Sequence, residues 1–575
     1  MMKLFRLLKS YRLLIAIILI FTFLQSMAQL FLPTLMAAIV DVGIVNEDIS
    51  YIIQMGGVML LVAVASVALS IGGSFCSAKV SAGFGKMVRD RVFAQVQDFS
   101  LQAFNKFGTS SLITRTTNDI MQIQQLLTMM LKILLVTPLM FIGALILAIW
   151  IDPMLSLFIF APIPIIAVTI IIITKKGIPL FQSLKQKTDR LNLILREGLT
   201  GVRIIRSFNR SNDEMNRFQE ANTRFSDTAI KVNRVMIHLT PIMMFVLNFS
   251  IIAIIWFGAF RIDTGELQIG QLMAFIQYAT QIMFSLTLAS VMVVAIPRAA
   301  VSANRINEIL DYGTDIKPPH EAIPIRHGRG HIEFHRVTFS YPGAMQPILS
   351  DISFHAKPGE VTAIIGGTGT GKSTLANLIP RFYDIDDGSI LVDGIDIRNI
   401  SSQQLRNHIG LVPQQPYLFK GTIADNIRYG KEQAIFEEVH HAAWLAQAST
   451  FISEMKEGYE SPVAQKGSNF SGGQRQRLAI ARALVRKANI YIFDDSFSAL
   501  DFKTHARLNN SLQEDLDTST VLMMTQRVST VMDADQIVVL DEGRIAGVGK
   551  HQDLMKNCEV YREMVSVQFS TEELS

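Results

Sequence analysis

Nine residues, Gly366, Gly367, Thr368, Gly369, Thr370, Gly371, Lys372, Ser373 and Thr374, fit the spacing G-x-x-x-x-G-K-[ST]. Glycines at those positions let the backbone fold around an anion with its N–H groups pointing inward. A following helix adds a favourable dipole for phosphate. The flanks suit that reading: VTAII, Val361 to Ile365, is strand-like, and KSTLANLI after the loop is helix-like. Lys372 is placed to reach the β- and γ-phosphates of a nucleotide, and Ser373 to ligate Mg²⁺. A second apolar strand, NIYIF from Asn489 to Phe493, ends in Asp494-Asp495. A carboxylate at the end of a buried parallel strand is positioned to hold Mg²⁺ or its water, the role expected of Asp494.

The elements that carry these residues occupy only the second half of the chain. The 575 residues are 49% hydrophobic, with a mean hydropathy of +0.31, more apolar than soluble chains usually are. Apolar stretches at Leu13–Ile39, Ile52–Phe75, Leu127–Ile151, Met154–Ile173, Pro241–Phe260 and Ile269–Ile296 each reach the roughly 20 residues that a bilayer requires. Two isolated cysteines, Cys76 and Cys558, make neither a disulfide framework nor a metal cluster. The net charge of +4 reflects basic loops rather than a nucleic-acid surface.

Lys3, Arg6, Lys9 and Arg12 precede the first stretch, Lys79, Lys86, Arg89 and Arg91 follow the second, and Lys175 and Lys176 follow the fourth. The segment Asp41 to Ser50 has acids and no Lys or Arg, and the third and fourth stretches meet at Asp152-Pro153. The positive-inside rule then puts both termini in the cytoplasm, in a multi-pass protein of the cytoplasmic membrane. The inward connections, about 77–125 and 175–235, read as helices continuing out of the membrane and returning. DYGTDIKPPHEAIPIRHGRG, Asp311 to Gly330, reads as a linker, and β-branched runs alternating with helical segments follow from His331. The expected plan is a membrane all-α domain of six transmembrane helices with long cytoplasmic extensions over 1–310, a linker over 311–330, and an α/β P-loop ATPase domain over 331–570. No short-period repeat or low-complexity tract interrupts it.

Taken together, the chain resembles the ABC exporters that fuse six membrane spans to one nucleotide-binding domain, over essentially its whole length. Tyr341 in FSYPG matches the aromatic that stacks on adenine. Gln414 in LVPQQP matches the Q-loop glutamine that contacts Mg²⁺. FSGGQ, Phe470 to Gln474, matches the signature, with Phe470 where Leu is usual, and SALD, Ser498 to Asp501, matches the D-loop. The resemblance implies ATP and Mg²⁺ as cofactors and two nucleotide domains meeting head to tail. Each ATP would then lie between one P-loop and the other domain's signature, here Ser471, Gly472, Gly473 and Gln474, whose Ser471 hydroxyl and glycine amides donate to the γ-phosphate. FSLQAFNKFGTSSLITRTTND and EGLTGVRIIRSFNR match the coupling loops, with short helices expected near Gln102–Lys106 and Val202–Phe208 to dock on the nucleotide domains.

Besides Phe470, three positions depart from the family. The general base, Glu in the family, is Asp495, shorter by one C–C bond of about 1.5 Å, whereas a base must come within about 3.2 Å of its water. The switch His is Gln526, which can hydrogen-bond to a phosphate but cannot carry a proton. Gln465 stands where Glu usually precedes the signature. The expectation is the degenerate-site subunit of a heterodimeric multidrug exporter, whose partner half-transporter carries the intact Glu and His. A homodimeric lipid or drug exporter with slow sites, an ATP-gated channel or regulatory subunit, and an importer are the alternatives. Gln25, Gln29, Asn248, Gln277, Gln281, Met243, Met244 and Met283 are candidate cavity residues for an amphiphilic, hydrophobic small molecule.

Overall fold

The structure is a computed structural model that describes residues 1–313, 315–319, 321–325 and 328–569. Thr314, His320, Arg326 and His327 of the expected linker, and the expected domain end at residue 570, lie outside the described residues. The chain divides into two compact units. The first comprises Met1–Gln97 and Thr109–Tyr312; the second is Gly313 onward together with Asp98–Gly108. One cut near residue 310 therefore does not separate them: eleven residues from the first half belong with the second unit.

The first unit is all helical, with six helices long and apolar enough to cross a membrane. Their lengths exceed the apolar stretches in the sequence. Ile49–Gln97 runs unbroken for 49 residues, about 70 Å at 1.5 Å per residue, more than twice the ~30 Å of hydrocarbon. The apolar run covers one bilayer, and the polar remainder continues because nothing in it breaks a helix. Pro162–Thr200 and Ser211–Met236 extend likewise.

The first turn is tighter than its charges suggest. Helix Arg12–Ala38 continues as a π-helical segment through Ile39–Ile44, so the connection shrinks to residues 45–48. Asp41 thereby lies inside a helix. Its carboxylate accepts from the Gly270 and Gln271 N–H groups at 2.5 and 3.0 Å and satisfies donors left open at the start of helix Ile269–Leu310. Asp152 plays the same part at the next turn, accepting from Met154 N and Leu155 N at 2.8 and 3.1 Å and pairing with Arg261. Leu30, Ala144, Ile254, Phe275 and Tyr278 form the core between these helices. There the Tyr278 hydroxyl donates to the Leu30 carbonyl at 3.0 Å.

The second unit is α/β. Strands β1 (Ile332–Phe339), β2 (Leu349–Ala356), β3 (Val361–Gly366), β4 (Asp387–Val392), β5 (Ile395–Asp396), β6 (Ile409–Val412), β7 (Gly421–Thr422), β8 (Pro462–Val463), β9 (Ile490–Asp494), β10 (Thr520–Thr525), β11 (Gln536–Asp541) and β12 (Arg544–Gly549) form its sheets. An antiparallel sheet has the order β2-β1-β4-β5; the larger sheet has the order β12-β11-β3-β10-β9-β6, and β7 pairs with β8. In the larger sheet β11, β3, β10, β9 and β6 run parallel, with β12 antiparallel at the edge. Every residue of β9 and β10 is buried, as expected where helices cover both faces of a parallel sheet. The register pairs Thr525 with Ile365 and Met524 with Asp494. The ends of β3, β10, β9 and β6 therefore lie side by side.

Candidate functional site

Ligands of an open parallel sheet gather beyond the carboxyl ends of its strands, and four of the sequence-selected segments emerge there. β3 opens into the glycine loop, β10 into Gln526, β9 into Asp494-Asp495, and β6 into Gln414. Gly369 and Gly371 have φ of +85° and +98°, a left-handed conformation costing other residues about 1–2 kcal/mol. A Cβ on Gly371 would meet Leu349 Cδ2 at 2.6 Å, whereas Gly369 faces open space. The loop is thus tight against the fold on one side and open on the other, the form of a phosphate cradle.

Lys372 opens helix Lys372–Leu378 and is buried. Its ammonium donates to the Gly366 and Gly367 carbonyls at 2.7 and 2.6 Å. Burial lowers its pKa, opposed by Asp495 and Asp494. Ser373 Oγ donates to Asp494 Oδ1 at 2.9 Å, and burial pushes the Asp494 carboxyl above the ordinary range. Ser373, Asp494 and the Gln414 amide make an all-oxygen donor set that fits a hard cation such as Mg²⁺.

Asp495 has φ of +46°, held by its N–H donating to the Met524 carbonyl at 2.8 Å and by Ser498 Oγ donating to its carbonyl at 2.9 Å. Its carboxylate accepts from Gln414 Nε2 at 3.4 Å. Across the loop, Thr368 Oγ donates to Gln526 Oε1 at 3.3 Å. The P-loop, Gln414, Asp494, Asp495 and Gln526 are thus brought into one neighbourhood. Tyr341 joins it from the smaller sheet: its hydroxyl lies 3.0 Å from Thr374 Oγ, and its ring stands edge-on to Tyr383 with centroids 5.4 Å apart. Beside it a cavity of about 390 Å³ is bounded by Tyr341, Tyr383, Asp384 and Asp386, and by Ser100 and Asp315.

The signature is arranged differently. Ser471 caps helix Gly472–Leu484, and its hydrogen bonds close on Gln474: Ser471 N–H donates to Gln474 Oε1 at 2.9 Å, and Gln474 N–H donates to Ser471 Oγ at 3.2 Å. Gly472 is exposed with open space at its Cβ position. Gly473 is held close, its Cβ position 3.1 Å from the Ala499 carbonyl. Ser471 to Gln474 thus make a turn turned outward, apart from the P-loop neighbourhood.

Two contributors lie apart from the nucleotide motifs, Ser100 at the start of the expected coupling segment and Gln568 outside every motif. Ser100, in the first half, donates to Asp315 Oδ2 at 2.8 Å and accepts from Ala103 N at 3.1 Å, so helix Leu101–Phe107 belongs to the second unit. The other expected coupling helix, Val202–Ser207, lies in the first unit and buries no side chain. Gln568, near the end of the described chain, brackets the switch segment; an isolated glutamine has no pattern to reveal it.

In the first unit, a cavity of about 340 Å³ is lined by Gln29, Gln277, Thr280, Gln281 and Ser285 with apolar neighbours such as Met140 and Phe284. Among the described residues, Gln281 Oε1 is buried there without a partner. The other five candidates lie elsewhere. Met243 and Met283 fill an apolar cluster with Ile166 and Val246, Met244 and Asn248 are exposed, and Gln25 does not line the cavity. Methionines that adapt to ligands also fill gaps between helices, and here packing took them.

Residues 15–286 match the ABC transporter transmembrane region and residues 349–498 the ABC transporter domain. The chain is 41% identical to an uncharacterized ABC transporter ATP-binding protein of Mycobacterium bovis, over 97% of both chains. It is 34% identical to an ATP-dependent lipid A-core flippase of Desulfotalea psychrophila, over 84% of both. A bacterial Atm1-family ABC exporter with ATP bound matches in structure with a TM-score of 0.84 and 25% identity, covering 97% of this chain and 98% of that one.

Proposed function

The chain belongs to the ABC transporters, as an exporter-type half-transporter with a transmembrane region fused to an ATPase domain, and from that premise we propose that it is the degenerate-site subunit of a heterodimer. ATP and Mg²⁺ are the family's cofactors. When bound, Mg²⁺ screens the charge of the β- and γ-phosphates; Ser373, Asp494 and Gln414 are the residues that would hold it. Lys372 would leave its two loop carbonyls for the phosphates, a swap its buried ammonium can make without re-entering water. The site thus has what binding ATP needs.

Hydrolysis needs a proton acceptor, and here the site is poor. Asp495 is the observation that carries the proposal: the carboxylate at the base position is a methylene short, and it is engaged by the Gln414 amide. Gln526, at the switch position beside Thr368, can donate a hydrogen bond but cannot take up or release a proton. The signature retains Ser471, Gly472 and Gly473 on an outward turn, suited to complete a partner's site. Val202–Ser207 supports a partner too: Ile204 and Phe208 at that bend are 66% and 74% exposed, more apolar surface than a finished face presents. Its docking on the partner, the cytoplasmic placement of both termini and the second unit, and export from the cytoplasmic membrane belong to the same proposal.

For substrate we favour a neutral amphiphile. The cavity at Gln29, Gln277 and Gln281 offers amides and hydroxyls among apolar side chains and no charge, so an ion entering it would lose its hydration uncompensated. Lipid export by a homodimer is the second reading, favoured by the flippase relative and by an apolar groove of about 630 Å³ among Leu30, Phe31, Leu61 and Ile146.

The deciding experiment is ATP turnover by the purified chain in lipid, alone and with a half-transporter bearing Glu and His at the matching positions. Little turnover alone and clear turnover together, lost when the partner's Glu is changed, is the expected result. Brisk turnover alone, lost in Asp495→Asn, would instead make Asp495 a working base and the protein a homodimer.

A further inference from the structure

Gln526 is exposed, and an exposed side chain at the end of a strand needs its backbone fixed if it is to address a phosphate. The chain after β10 leaves the sheet, so ladder hydrogen bonds no longer hold it. Helix Glu559–Gln568 supplies what the sheet does not. It buries Tyr561 and Val565 in a cluster with Val528, Val531, Ile537 and Val539, so it packs against the switch segment itself. At its last turn the Gln568 side chain accepts from the Val528 N–H at 2.8 Å through Oε1. It donates to the Gln526 carbonyl at 2.7 Å through Nε2. A primary amide presents an acceptor and a donor side by side, as an extended residue does, so Gln568 acts as one residue of a missing strand. Between the two contacts Arg527 is tied down as well: its N–H donates to Thr525 Oγ at 3.1 Å and its guanidinium to the Ser498 carbonyl at 2.8 Å. Three successive residues are thus fixed, and Gln526 Oε1 is held toward Thr368 Oγ at 3.3 Å.

We infer that Gln568 is a positioning residue for the nucleotide site: without touching ATP, it sets how well Gln526 reads the terminal phosphate. This rests on the reading that Gln526 faces the γ-phosphate. Gln568 then contributes to the preference for ATP over ADP rather than to nucleotide binding in general, because its two bonds hold the switch segment and none reaches the P-loop.

The test is competition binding of ATPγS and ADP to the full-length protein in lipid nanodiscs, which does not depend on turnover. Gln526→Ala should lower the ATPγS-to-ADP affinity ratio by about ten- to hundredfold, the worth of one polar contact to a charged group. Gln568→Ala should lower it nearly as far with ADP affinity unchanged. The double variant should be no worse than Gln526→Ala alone. Gln568→Glu keeps the acceptor for Val528 but sets a carboxylate against the Gln526 carbonyl, so it should behave like Gln568→Ala. Equal loss of ADP and ATPγS affinity in Gln568→Ala would reduce the residue to a structural prop and overturn the inference. So would an unchanged ratio in Gln568→Ala beside a lowered one in Gln526→Ala, or additive losses in the double variant. An unchanged ratio in Gln526→Ala would overturn the switch reading itself, and the inference with it.

Discussion

The signature turn and the ends of β9 and β10 belong to one domain and face opposite demands. Ser471, Gly472 and Gly473 need only present a hydroxyl and two N–H groups, and a reciprocal capping box with Gln474 keeps the turn in shape. On the proposed reading, Asp495 and Gln526 sit where a proton must move, and there the residues differ from those that the family resemblance implies. Donating hydrogen bonds asks for fixed geometry; general-base catalysis asks for geometry and a suitable acid–base group together. One half-site could therefore lose proton handling while the other keeps its donors, which is why the proposal gives this chain a second, different chain as partner.

The largest effect expected from this contrast is at the signature. Ser471→Ala should lower turnover of the assembled transporter by about 10²–10³-fold, as losing an oxyanion-hole donor does, while Asp495→Asn leaves it nearly unchanged. Equal losses, measured as phosphate release from the heterodimer, would erase the distinction. Next is repair of the poor site: Asp495→Glu with Gln526→His should raise turnover of the chain alone by about 10²-fold, the lower range for a positioned base. No gain would place the deficit elsewhere, with Gln465 the first position to examine. In the membrane unit, Gln281→Leu removes an amide whose oxygen is buried without a partner. It should raise the apparent KM for a neutral amphiphile by about tenfold, as loss of one hydrogen bond does, without lowering thermal stability; an unchanged KM in vesicle transport would remove that cavity from the substrate path.

The smallest effect concerns Asp494, whose pKa burial raises. The folded protein holds that proton more tightly than the unfolded chain. The group's contribution to stability is therefore full below the ordinary carboxylate range and is lost as pH rises through the raised value. Above the raised value the buried, ionised carboxylate is a cost. Asp494→Asn should raise the melting temperature of the nucleotide-free protein at pH 7 by about 2–4 °C, and lessen that gain toward acid. The same variant should lose the further stabilisation by ATP that depends on Mg²⁺, read by the same thermal scan.

Much of this architecture was legible in the residues, for reasons particular to each part. Apolar stretches of bilayer length announce themselves by composition, and the glycine loop by spacing. Apolar runs ending in acids mark buried parallel strands. The helical continuations beyond the apolar runs were legible too, but their ends were not, since a polar helix such as Ser211–Met236 has no apolar run to delimit it. Asp41 read as part of a turn because charge suggests solvent; in the fold it caps a helix 229 residues away in sequence. Met243 and Met283 looked like ligand contacts and became core, because the same softness serves both uses. Gln568, and the bond from Ser100 to Asp315 within an otherwise expected coupling segment, were invisible for a simpler reason: the partners are distant in sequence, and a single glutamine or serine has no spacing to interpret.

The segment Asp98–Gly108 also constrains how the protein is made. Ala103 is 1% exposed, and Ser100 takes its partner Asp315 from beyond the last membrane helix. During synthesis at about 5–20 residues per second, the segment waits about 10–40 s before the rest of its unit, which starts at Gly313, even begins to emerge. For that interval a finished piece of the ATPase is carried by an unfinished membrane domain. A nucleotide domain produced from residue 313 onward would lack it, exposing surface that the segment covers in the intact chain. The order of assembly is therefore interleaved, with the membrane unit holding open the last step in folding of the other.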